Sequence, residues 1–147
     1  MKRLLTAFFI LAVFAAPARA ADPTTVVNLV DAAGGTTTLA AGGAYTSAAV
    51  DCTRAEGYFG LQMAVSGAPT YTGTVKAEAW VSADGVTFAE PEGAADILTG
   101  MTATSGPAGN GKVYIKVQPD FCRYIKIVFT ETGGASGVTI AAKLAVR

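Results

Sequence analysis

The chain has 147 residues, with 11 basic and 11 acidic side chains and no histidine. A chain without histidine has no Ser-His or Cys-His nucleophile pair, no histidine metal site and none of the commonest general base. From Arg54 onward the eight basic residues do not cluster in sequence, so no nucleic-acid partner is expected.

Met1-Lys2-Arg3, the apolar run Leu4 to Ala16, and Ala18-Arg19-Ala20 read in order as the charged, apolar and small-residue cleavage regions of a secretory signal. The apolar run is shorter than the roughly 20 residues that span a bilayer. The expected organisation is an export signal at residues 1–20 and a single β-sandwich domain at 21–147. No integral membrane segment remains after cleavage, and the expected location is secreted, periplasmic or cell-surface. Cleavage leaves 127 residues, enough for one domain with a sizeable core. It removes Lys2, Arg3 and Arg19, so 8 basic residues face 11 acidic ones, a net charge of −3.

The first strand is expected at Thr24 to Asp31, ended by Ala32-Ala33-Gly34-Gly35, with Thr36 to Ala40 as a short partner. Gly42-Gly43 then turns the chain into Tyr45 to Cys52. In Tyr58 to Ser66, Phe59, Leu61, Met63 and Val65 share one phase, against Tyr58, Gly60, Gln62 and Ala64 on the other; Gly67-Ala68-Pro69 breaks it. Thr74 to Ser82 places Val75, Ala77, Ala79 and Val81 inward and Thr74, Lys76, Glu78 and Trp80 outward, as in an antiparallel sheet with one wet face.

Asp84-Gly85 is a tight-turn signature that returns the chain through Val86-Thr87-Phe88 as a short hairpin partner. Glu90 to Gly93 and Thr99 to Gly111 read as loops, with a brief strand at Ala95 to Leu98 between them. Lys112 to Gln118 alternates again, with Val113, Ile115 and Val117 inward. After Pro119-Asp120, Cys122 to Thr130 alternates Ile125, Ile127 and Phe129 against Tyr124, Lys126 and Val128. With Val138 to Val146 it reads as a closing hairpin. Eight to nine short strands without a helix give an all-β, antiparallel β-sandwich, jelly-roll-like rather than immunoglobulin-like because of its long crossing loops.

Cys52 and Cys122 are the only cysteines. In an oxidising compartment a lone pair at strand ends implies an intrachain disulfide, with two thiols or an intermolecular bond as the rival reading. Closing a loop of about 70 residues contributes up to roughly 4 kcal/mol.

No reaction is assigned. Glu90, Glu92, Asp96 and Glu131 are the carboxylates a two-acid glycoside hydrolase could use, but all lie in or beside predicted turns, where solvated acids are ordinary. No cofactor is implied. Asp84, Glu90, Glu92 and Asp96 could support a structural calcium, yet no Asp-x-Asp-x-Asp spacing is present and the metal set is empty. The Gly-Gly pairs precede no helix, so they turn the backbone rather than cradle phosphate. Trp80, Tyr114 and Tyr124 are the binding candidates. All three fall on the polar phase of their strands, where flat rings can stack on sugars or be buried at a subunit contact.

The segment Lys76-Ala77-Glu78-Ala79-Trp80-Val81-Ser82-Ala83-Asp84-Gly85-Val86-Thr87-Phe88, followed by Arg123-Tyr124-Ile125-Lys126-Ile127, resembles the layout of discoidin-like jelly rolls. It is similar also to small jelly-roll virion proteins of tailed phages. The likeness covers roughly the last ninety residues. The discoidin resemblance implies carbohydrate or membrane binding through loops at one end; the virion resemblance implies capsid or tail decoration and oligomeric assembly. The cysteines do not tie the termini together as in discoidin domains, and the export signal departs from the virion pattern. The expected function is therefore a non-catalytic exported β-sandwich that binds an extracellular glycan or cell-surface component. The alternative is a self-associating coat or filament subunit, with glycoside hydrolysis more remote.

Overall fold

The computed structural model describes residues 24–30, 35–67, 73–93, 96–117, 122–134 and 136–147. The signal at 1–20, the turns at 32–34, 68–69 and 119–120, and the strand positions expected at Asp31, Ala95 and Gln118 lie outside the described residues.

Alternating runs become strands, because each offers one apolar side to a core and one polar side to water. They are β1 (Thr25–Asn28), β2 (Thr36–Leu39), β3 (Ala44–Thr46), β4 (Val50–Asp51), β5 (Phe59–Ser66), β6 (Thr74–Ser82), β7 (Leu98–Met101), β8 (Lys112–Val117), β9 (Tyr124–Thr132) and β10 (Val138–Val146). The described residues contain no helix. In the first sheet β1 and β2 lie end to end along β10, followed by β5 and β8. In the second, β3 and β4 lie end to end along β9, followed by β6 and β7. All pairings are antiparallel. If each end-to-end pair is taken as one strand, the chain changes sheet at every step except β6 to β7, which is the path of a jelly roll.

The strand count exceeds the expected eight to nine because Tyr45 to Cys52 breaks in two. Register runs Thr46 opposite Val128, then Val50 opposite Ile125, so β3–β4 carries one extra residue. Buried Ser47 holds the break. Its backbone N–H donates to the Ile127 carbonyl at 3.0 Å, and its hydroxyl accepts the Ile127 N–H at 3.0 Å.

The expected hairpin between the last two long strands does not form. β9 pairs with β6 over Thr74–Ser82, and β10 pairs with β5 over Phe59–Ser66. The two strands instead supply opposite walls of one core: Ile125, Ile127 and Phe129 from the second sheet, Ile140, Ala142 and Leu144 from the first. Each large apolar side chain so buried contributes about 1.5–3 kcal/mol. The inward phase of β9 ends on a carboxylate. Glu131 is wholly buried; it accepts the N–H of Gly42, and the N–H of Gly134 at 2.6 Å. One acid thus fastens the turn before β3 to the turn after β9.

Two further expectations change. Val86-Thr87-Phe88 is not a strand, and the return is a single bridge between Val81 and Ala89. The Asp84 carboxylate accepts the Val86 and Thr87 N–H groups, both at 2.8 Å, so these donors are already used within the turn. Leu98 to Met101, read as mostly loop, is the edge strand β7, joined to β6 with a register shift between Val75 and Ala77.

Cys52 and Cys122 are not bridged. They follow β4 and precede β9, with the Cys52 N–H on the Arg123 carbonyl at 2.7 Å, and their side chains are in hydrogen-bonding contact as thiols. Burial, and then the neighbouring Cys122, push the Cys52 thiol up to about 12. Little of the thiolate that disulfide exchange requires therefore forms at neutral pH.

Candidate functional site

The outward phase of the first sheet builds an open surface depression. Gly60 is opposite Lys116 and Gln62 opposite Tyr114 on β5 and β8, while Ala145 is opposite Gly60 and Lys143 opposite Gln62 on β10. Tyr114 does not stand up from its own row. Its ring leans diagonally across the neighbouring strand onto Gly60, so close that a Cβ there would lie 2.7 Å from Tyr114 Cζ. The missing side chain is what lets an aromatic ring lie down on the sheet, a cross-strand pairing of aromatic with glycine.

Tyr58 precedes β5 on the same outward phase, and the ladder extends to it: its N–H and carbonyl exchange hydrogen bonds of 2.9 Å with Arg147. Tyr58, Gly60, Tyr114, Lys116, Ala145 and Arg147 line an open depression of about 590 Å³. At one corner Glu56 faces Arg147 at 3.6 Å. Tyr58 and Tyr114 are 63% and 67% exposed, so both rings are largely open to solvent.

Trp80 and Tyr124 stand on the other sheet. Trp80 is opposite Lys126 and Tyr124 opposite Ser82, on the outer side of β6 and β9. Tyr124 is a prop. A Cβ on Gly85 would lie 3.1 Å from its Cε2, and Arg123 covers its ring at 5.3 Å from the centroid. Beside Trp80, Lys126 Nζ sits 3.9 Å from the Phe88 ring centroid. Trp80 itself is 36% exposed. The three aromatic candidates are therefore not brought together: Tyr114 faces away from Trp80 and Tyr124. Tyr58, which the polar phase of its strand already marked as outward, is the partner that sequence reasoning left out.

The acidic candidates divide as well. Glu90 and Asp96 come together with Glu78 of β6, their oxygens all within 4.8 Å of one another. Lys76 Nζ is 2.8 Å from Glu78 Oε1, and that hydrogen bond comes first among the causes that raise the Lys76 pKa. Three carboxylates could offer oxygen ligands to a hard cation, and here the lysine competes for one of them. Glu92 is exposed outside this group, Glu131 is buried in its clamp, and Asp84 belongs to its turn.

No protein-family model matches the chain, and comparison with curated proteins and with solved structures finds no similar protein. The two-sheet architecture is compatible with the jelly-roll part of the expected resemblance, and no family or structural neighbour supports its discoidin-like or virion part.

Proposed function

We propose that this is a non-catalytic exported β-sandwich that binds a glycan on the outer face of its first sheet. The observation that carries the reading is the exposed pair Tyr58 and Tyr114, bordering one depression floored by Gly60 and Ala145. A ring lying on a sheet presents a flat apolar face of the kind a sugar ring covers, and the charged groups at the margin can meet hydroxyls. Export is supported by the signal pattern at residues 1–20.

Retention on a glycan array tests the reading. Tyr58→Ala and Tyr114→Ala are each expected to weaken binding about tenfold, with unchanged melting temperatures, while Trp80→Ala binds as the parent does. Retention unaffected by either tyrosine substitution would sink the proposal. A second reading, self-association, is favoured by Trp80 and the 83% exposed Val86 on the second sheet's side. Light scattering across micromolar concentrations distinguishes it, since a strict monomer has no such contact.

A further inference from the structure

The charges around the depression follow a pattern. Across the first sheet the outward residues fall into rows: Arg147 with Tyr58; Lys116 with Gly60, Ala145 and Val26; Lys143 with Tyr114, Gln62 and Asn28; Lys112 with Ala64, Ala141 and Thr36. Row by row the cation changes side, from β10 to β8, back to β10 and again to β8. The lane between them runs along β5, with Gly60, Gln62 and Ala64 as its floor and the Tyr114 ring laid over Gly60. Successive rows are about 7 Å apart along a strand.

Among the described residues these rows hold no acid, and Glu56 at the corner is occupied with Arg147. The rest of the molecule has the opposite sign: Glu78, Glu90 and Asp96 gather on the outer side of the second sheet. Of the eight basic residues left after signal removal, Lys112, Lys116, Lys143 and Arg147 thus stand on a face with Glu56 at its corner as the acid nearby, whereas on the other face Lys76 is paired within an acidic group. Such a field attracts a polyanion to that face and repels it from the other. Gly60 and Ala64 keep the floor low on either side of exposed Gln62, and lysine stems are flexible enough to reach over it. A ribbon with acidic groups on alternating edges fits cations on alternating sides.

We propose that the occupant of this lane is an anionic polysaccharide, a chain of uronate- or sulfate-bearing sugars, held by Lys112, Lys116 and Lys143 at its edges and stacked on Tyr114. This deepens the glycan reading above and rests on it for the aromatic platform alone.

Calorimetric titration with polygalacturonate, dextran sulfate and a neutral cellulose derivative tests the assignment and separates uronate from sulfate. The purified protein is expected to bind one or both polyanions, with affinity falling as salt is raised, and to ignore the neutral polymer. The double substitution K116Q/K143Q should weaken polyanion binding about tenfold, the size of two exposed ion pairs lost together, at an unchanged melting temperature. Neutral polymer bound equally by parent and double variant overturns the anionic assignment while leaving the glycan reading intact. Polyanion binding that survives Tyr114→Ala but not K116Q/K143Q does the reverse. Single-stranded DNA bound more tightly than either polysaccharide overturns the proposal, and so does low-salt self-association abolished by K116Q/K143Q. In that last case the occupant is the acidic face of a second copy.

Discussion

The two sheets present outer faces made by the same alternation rule and put to different ends. On the first, Gly60 leaves room for Tyr114, and the ring that occupies the room remains two-thirds exposed. On the second, Gly85 leaves room for Tyr124, but that ring is spent supporting the Asp84-Gly85 turn beneath Arg123. The first face carries cations with almost no acid, whereas the second carries a carboxylate group with a lysine pinned to it. An outward aromatic is thus only half a site. Whether its ring is already in use by the fold decides the rest.

The largest expected effects lie outside both faces and test whether either can be altered alone. Oxidation of Cys52 and Cys122 joins the loop after β4 to the chain before β9, both in the second sheet. It should add up to about 4 kcal/mol to unfolding stability and leave glycan affinity unchanged. Denaturant unfolding of oxidised and reduced protein measures it; equal midpoints would show that the pair stays thiol, as in the structure. Next comes Glu131→Ala, which strands the N–H groups of Gly42 and Gly134 and should cost about 3 kcal/mol. A smaller loss than that of Trp80→Ala would mean that water takes over both donors.

A pair of glycine substitutions then addresses the comparison directly. Gly85 has φ +78°, so Gly85→Ala strains the backbone as well as pressing on Tyr124, and should cost about 1–2 kcal/mol of stability with binding intact. Gly60→Ala meets only the movable end of the Tyr114 side chain. It should swing that ring off the floor, lowering glycan affinity about tenfold with stability changed by less than about 1 kcal/mol. If both substitutions behaved alike, the distinction between a working ring and a propping ring would fail.

Much of the fold is legible because alternation reports burial directly. The inward positions Leu61, Met63, Val75, Ile125, Ile127 and Ile140 are all buried as their phase implies. Phase does not report which sheet a strand joins. The last two long strands each have one apolar side, and a strand of that kind is satisfied beside its neighbour or across the core from it. The missed strand β7 has the opposite defect: Leu98-Thr99-Gly100-Met101 includes a glycine and no clean alternation, and its pairing with β6 supplies what its sequence does not. The same limit divided the site. Trp80, Tyr114 and Tyr124 are all outward, but outward from different sheets. The spacing Tyr58-x-Gly60 was the available signal for the first face, since a glycine on the outward phase of a strong strand marks a place where something approaches the sheet closely.

The smallest predicted effect separates the faces by pH. The Asp84 carboxylate accepts the N–H groups of Val86 and Thr87 and the Ser82 hydroxyl, each at 2.8 Å. These bonds, the backbone ones foremost, lower its pKa from 3.8 to about 2. Because the folded value lies below the unfolded one, the contribution to stability is complete well above pH 3.8 and is lost as pH falls from there through about 2. The informative quantity is the difference in melting temperature between the parent and Asp84→Asn, which isolates this one carboxylate. That difference should be constant near neutrality and shrink between pH 4 and pH 2. Asp84 is on the propping face, where its turn rests on Tyr124. Glycan affinity at neutral pH should therefore be the same for Asp84→Asn and parent, and a variant that lost affinity would show that the two faces are coupled through the core.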